Sequence, residues 1–188
     1  MKEATLKNFT KRLSQRTCEG RKLFSVMFEL NWRCNLDCLF CYLTYAERAT
    51  GPSQKPEMTT EQISEILRQL AEEGCYRVAF TGGEIFLRKD LYEIIACARR
   101  FGLEVTLLTS GSLIDEAAVQ KLKELGVRRC SLSFHAMDEE IFDQVTQRKG
   151  SYRKVRRAVE LLLAANIEVE LKTLGTTLNK EEIIKVNE

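Results

Sequence analysis

Apolar residues recur along this chain in two periods, and the two periods take turns. Leu23 to Leu30 reads as a first strand. A polar loop through Gly51–Pro56 leads to a helix starting at Thr59, with Gln62 completing a capping box and Ile63, Ile66, Leu67 and Leu70 on its apolar face. Tyr76 to Phe80 is a second strand, ending in Thr81-Gly-Gly-Glu84. Asp90 is expected to cap a helix that buries Leu91, Ile94, Ile95 and Ala98. Leu103 to Leu108, Val127 to Phe134 and Ile167 to Leu174 are the third, fourth and fifth strands. Between them fall a helix capped by Asp115, a short one from Asp138 and a longer one from Ser151, and Asn179 is expected to cap a last one. Strand–helix alternation of this kind implies a parallel sheet with right-handed crossovers.

The later strands have a polar side. Ile167, Val169, Leu171 and Thr173 share one face of the fifth, against Glu168, Glu170 and Lys172. In the fourth, Cys130, Leu132 and Phe134 oppose Arg129, Ser131, Ser133 and His135. A sheet covered by helices on both faces would be apolar on both. One polar face predicts an α/β partial barrel whose interior is wet and whose active site lies at the C-terminal strand ends. Residues 1–22 read as an N-terminal leader and 23–188 as the core domain. The sequence stops in a helix barely begun, so the core is expected to be incomplete at its C-terminus.

The 188 residues are 44% hydrophobic and 30% charged, an ordinary globular composition. A net charge of +2 makes no electrostatic case for nucleic acid or an anionic membrane as partner. No apolar run is long enough to span a bilayer, and no apolar signal segment opens the chain. Seven cysteines, an odd number, suit a reduced, cytoplasmic protein better than a disulfide framework.

Three of those cysteines, Cys34, Cys38 and Cys41, crowd into eight residues directly after the first strand. Their thiolates can converge on one small object. A structural zinc ion wants four protein ligands, the fourth a distant Cys or the lone His135. A CxxC redox pair at Cys38 and Cys41 leaves Cys34 surplus. An iron–sulfur cube accepts three thiolates and keeps one iron open. Spacing alone leaves these open. Of the remaining cysteines, Cys97 and Cys130 read as small core residues and Cys75 as inert. His135 is expected to be a hydrogen-bonded structural residue, with a ligand contact as the alternative.

The CxxxCxxC loop after the first strand, with Tyr42 next, resembles the signature of the radical S-adenosylmethionine (SAM) superfamily. Gly82-Gly83-Glu84 after the second strand resembles that superfamily's GGE motif, and Leu108-Thr-Ser-Gly-Ser-Leu-Ile114 its TNG stretch, with Ser110 in place of Asn. The resemblance implies a partial (β/α) barrel of which about five strand–helix units of six are present. It implies a [4Fe-4S] cluster on Cys34, Cys38 and Cys41, whose open iron chelates the amino and carboxylate groups of SAM. Gly82, Gly83 and Glu84 would meet the ammonium group, with Glu84 supplying negative charge. Tyr42 would read adenine through its backbone, Ser133 the ribose, and Lys172 the carboxylate; Thr109 belongs to the same cofactor-binding set. The implied chemistry is reductive cleavage of SAM by an external one-electron donor of flavodoxin or ferredoxin type, then hydrogen abstraction from a substrate.

The stretch Ser133-Phe-His-Ala-Met-Asp-Glu-Glu-Ile-Phe-Asp-Gln-Val-Thr-Gln-Arg-Lys-Gly-Ser-Tyr152 resembles the SPASM/twitch branch, which modifies peptides and proteins. A peptide or protein is therefore the expected substrate. The alternatives are a small molecule or tetrapyrrole, or a metal- or cluster-binding module without catalysis.

Overall fold

The computed structural model describes residues 15, 19–20, 23–43, 46–47 and 56–186. The leader 1–22 lies almost wholly outside the described residues, as do Cys18 and most of the loop ending at Pro56. The strands are β1 (Ser25–Glu29), β2 (Arg77–Thr81), β3 (Glu104–Thr109), β4 (Arg129–Ser133) and β5 (Glu168–Lys172). The helices are α1 (Thr60–Glu72), α2 (Leu91–Arg100), α3 (Glu116–Glu124), α4 (Glu139–Thr146), α5 (Ser151–Ala164) and the short α6 (Ile183–Val186). All five strands are parallel and lie in chain order, β1 to β5. A doubly wound sheet reverses direction at a switch point. This one winds a single way throughout, which is the sense of a barrel wall, and it remains open at β1 and β5.

Register explains the two faces. Phe28, Phe80, Leu107, Cys130 and Val169 stand side by side in one row across the sheet. Phe80, Leu107 and Cys130 are fully buried there under the helices. Each large side chain so buried contributes roughly 1.5–3 kcal/mol. The adjacent row on the other face is Met27, Ala79, Thr106, Arg129 and Glu168, mostly small or polar. Small and polar residues inside, large apolar ones outside, are what curvature around a wet interior requires. At the open edges the pattern weakens: Met27 on β1 and Leu171 on β5 are exposed.

Helix starts follow the sequence with two corrections. Thr59 and Gln62 form a reciprocal capping box, and the Asp115 and Asp138 carboxylates accept from the N–H groups of Ala118 and Ile141. Asp90 stands at the start of α2 but does not cap it. Its carboxylate accepts instead from Arg88 and from Thr60 Oγ1. Asn179 caps no helix either. Its Oδ1 accepts from Thr176, its Nδ2 donates to the carbonyls of His135 and Leu174, and α6 begins four residues later. No helix among the described residues is long and apolar enough to cross a membrane.

Arg88 is buried and joins three segments. It donates to Leu30 O (2.9 Å), to Met58 O (3.0 Å) and to Asp90. Arg88→Ala would leave those acceptors unmet, and a loss of about 2–4 kcal/mol is expected in urea unfolding. The hydrogen bond to Arg88 holds the Asp90 carboxyl down to about 2, from an ordinary 3.8. A depressed carboxyl stabilises above its unfolded pKa and loses that contribution as pH falls toward its folded one. The stability gap between wild type and Asp90→Asn should therefore be flat above about pH 5 and close between about pH 4 and 2.

Candidate cofactor site at the strand ends

The cysteine loop continues β1 and is fastened on two sides. On the first side it runs along the residues that follow β2. Leu30 N donates to Thr81 O (2.8 Å), Gly83 N to Asn31 O (2.8 Å) and Glu84 N to Arg33 O (2.7 Å). Asn31 is buried, and its Nδ2 donates to Glu84 O at 2.9 Å. This approach leaves no space for side chains at the two glycines. A Cβ on Gly82 would lie 2.4 Å from Asn31 O, and one on Gly83 2.3 Å from Arg33 O. Gly82 also has φ +147°, a conformation that L residues rarely adopt.

On the second side the loop caps α4. The last carbonyls of a helix have no partner within it. Here Val145 O accepts from Leu39 N (3.0 Å) and Thr146 O from Asp37 N (3.1 Å). Arg148 adds two donors to Asn35 O, at 2.9 and 3.2 Å. The turn that presents Arg148 is set by Asp143, whose carboxylate accepts from Gly150 N, Ser151 Oγ and Tyr152 N. Leu36 and Leu43 are buried and anchor the loop's apolar side.

The two fastenings place Cys34, Cys38 and Cys41 on the wall of one cavity of about 250 Å³. Gly82, Gly83, Thr109, Ser133 and Lys172 line the same cavity. Burial, and then the neighbouring Cys34 and Cys41, push the Cys38 thiol up to about 12. Three thiolates brought together in a desolvated place repel one another, and a cationic iron core offsets that repulsion. Three cysteines on the wall of one cavity are a donor set that an iron–sulfur cluster accepts.

The family model of the radical SAM superfamily matches residues 32–188. The chain belongs to this superfamily. It is 33% identical over 148 residues to a probable GTP 3′,8-cyclase of Methanocella arvoryzae, covering 79% of this chain and 46% of that one. It is 32% identical over 154 residues to an AdoMet-dependent heme synthase of Oleidesulfovibrio alaskensis (82% and 39%). It is also 32% identical over 164 residues to a PqqA peptide cyclase of Gluconobacter oxydans (87% and 44%). The crystal structure of Streptococcus suis SuiB bound to precursor peptide SuiA has the same fold, with TM-score 0.75 and 18% identity over 98% of this chain and 40% of that one. The chain spans less than half the length of these relatives. Radical SAM proteins use a [4Fe-4S] cluster and SAM, and the three-thiol cavity fits that pair.

Seen as a radical SAM site, the expected residues divide. The three cysteines, both glycines, Thr109, Ser133, Lys172 and Tyr42 line one cavity. The Glu84 side chain is fully buried, accepting from Thr109 Oγ1 (2.6 Å), Ser110 N (3.0 Å) and Phe86 N (3.1 Å). These bonds join the end of β2 to the end of β3, where Thr109 and Ser110 line the cavity. Tyr42 is 71% exposed, with its hydroxyl donated to Glu29. Lys172 is half-exposed, 3.8 Å from Glu170. The sequence reading missed Asn35 and Arg148, whose pairing spans 113 residues. It also placed His135 among hydrogen-bonded histidines, whereas neither ring nitrogen has a partner among the described residues. No local pattern marks either feature.

Gly82→Ala and Gly83→Ala should each push the cysteine loop off its seat. Most of the iron and sulfide taken up on reconstitution should be lost, at a stability cost of about 1–3 kcal/mol. Gly102→Ala is the control: φ is positive there as at Gly82, at +81°, and no atom of the described residues lies within 4 Å of the added carbon. It should carry backbone strain and full cluster content.

Proposed function

We propose that this chain is the catalytic core of a radical SAM enzyme that abstracts hydrogen from a peptide or protein substrate. The observation that carries the reading is the shared cavity, lined by three cysteines and by two glycines that lie against the backbone of the cysteine loop. Cys34, Cys38 and Cys41 would hold the cluster, with one iron left to SAM. Together the bound cluster and SAM supply a 5′-deoxyadenosyl radical. The protein's own residues bind and orient. The backbone at Gly82 and Gly83 would receive the ammonium group, Ser133 the ribose, and Lys172 the carboxylate. The glycine constraint and the α4 cap keep the thiols in place before any ligand arrives, which lowers the ordering cost of binding.

A peptide substrate is supported by the relative whose name is PqqA peptide cyclase and by the resemblance of Ser133–Tyr152 to the peptide-modifying branch. The GTP cyclase and heme synthase relatives favour the second reading, a small molecule or tetrapyrrole. An external flavodoxin- or ferredoxin-type donor would supply the electron. The family's enzymes leave the non-catalytic module without support.

Anaerobic reconstitution with iron and sulfide tests the core of the proposal. A broad absorbance in the visible blue and 5′-deoxyadenosine formed from SAM on reduction are expected. Stoichiometric zinc without that product would overturn it. Ala at Cys34, Cys38 or Cys41 should abolish the cluster, while Cys97→Ala should retain it. For the substrate, lysate of cells grown in deuterated medium would be split by size. Deuterium appearing in 5′-deoxyadenosine from the peptide and protein fraction supports the first reading; transfer from the small-molecule fraction alone supports the second.

A further inference from the structure

His135 is 3% exposed and lines the same cavity, yet neither Nδ1 nor Nε2 has a hydrogen-bond partner among the described residues. Burial holds its pKa down to about 4, so near neutral pH the ring is uncharged, with one N–H to donate. An unmet donor in such a place is destabilising, and a phenylalanine would fill the space without that cost. The backbone around it is nevertheless held by several side chains. Asn179 Nδ2 donates to His135 O (2.8 Å), and Thr173 Oγ1 to Phe134 O (2.6 Å). Met137 N and Asp138 N both donate to the Glu182 carboxylate. Asn179 and Glu182 are themselves buried. The ring is positioned firmly, and its polar edge is left open.

Its neighbours say what would close that edge. Phe40, inside the cysteine loop, meets His135 edge to face at 4.9 Å between centroids, and Phe142 lies at 5.8 Å. Both rings and Leu36 line the cavity. Two residues earlier on the chain, Ser133 lines it too. This end of the cavity therefore combines flat apolar surface with a single unpaired donor. A flat heteroaromatic ring with acceptor nitrogens on its edge satisfies both features, and SAM carries one such ring, its adenine.

We infer that His135 recognises the adenine of SAM by donating its ring N–H to a nitrogen of the base. The inference rests on the radical SAM reading above; it gives the ligand contact that the sequence left as the alternative for His135 a base and a donor atom, beside the backbone at Tyr42.

The test titrates the cluster-loaded protein with S-adenosylhomocysteine and its 1-deaza, 3-deaza and 7-deaza analogues. His135→Phe should bind the parent about tenfold more weakly, the worth of one net hydrogen bond. One deaza analogue should bind wild type about tenfold more weakly than the parent and lose nothing further in His135→Phe. His135→Gln, which keeps an N–H donor, should recover part of the affinity. Without ligand, His135→Phe should melt no lower than wild type, and the cluster's midpoint potential should stay put. Equal affinity in His135→Phe, or a deaza loss undiminished in the variant, would overturn the inference. So would a shifted midpoint potential with unchanged affinity, which would aim the N–H at the cluster. Wild type that holds a cluster but binds no S-adenosylhomocysteine would overturn the radical SAM reading and this inference with it; the variant comparisons overturn this inference alone.

Discussion

The close approach of two backbone segments, Asn31–Arg33 against Gly82–Gly83, is the constraint on which the site depends. Two hydrogen bonds of 2.7 and 2.8 Å draw the segments together, and a Cβ at either glycine would sit within 2.5 Å of a carbonyl oxygen. The glycines had been read as making room for a ligand. The structure shows that they make room first for the loop that carries the thiols. Both readings can hold, because a backbone without side chains is open on each of its faces. The sequence separation is about fifty residues, and the pairing of β1 with β2 brings the two segments together.

From that contact, support spreads outward through buried polar groups. Asn31 ties the loop to Glu84 O, and the Glu84 carboxylate ties β2 to Thr109 and Ser110 at the end of β3. Arg88, four residues on, ties the end of β1 to Met58 just before α1. At the far side, the loop's N–H groups complete the C-terminus of α4, so loop and helix satisfy each other's orphaned groups. Replacing any one of these by an apolar residue leaves a buried partner unmet, which costs more than the bond itself contributes.

Much of this was legible from residue order. The five strands, their parallel sense and the polar interior followed from period-two runs such as Glu168–Lys172 between helical stretches. Thr59, Asp115 and Asp138 were readable as caps because capping depends on residues three apart. Asp90 and Asn179 look the same in sequence and do otherwise. Arg88 and Thr60 compete for the carboxylate of Asp90, and the carbonyls of Leu174 and, just after β4, His135 for the amide of Asn179. The partners of the Glu84 side chain are a related case. A carboxylate next to glycines at a strand end looks available, and only the neighbouring strand shows that its oxygens are taken. Long-range satisfaction of polar groups is what the one-dimensional pattern does not carry.

The cavity then divides by the same logic. Where the scaffold needs polar groups, they are paired inside the protein: Ser131 with Glu170, Glu84 with Ser110, Tyr42 with Glu29. Those groups are accounted for without a ligand and serve to shape the walls. The thiols and the His135 ring are different, because no other described residue partners the ring nitrogens of His135, and the fold gathers three thiols that would repel one another as thiolates. A buried donor left unmet raises the energy of the empty site, and a ligand that meets it recovers that energy on binding.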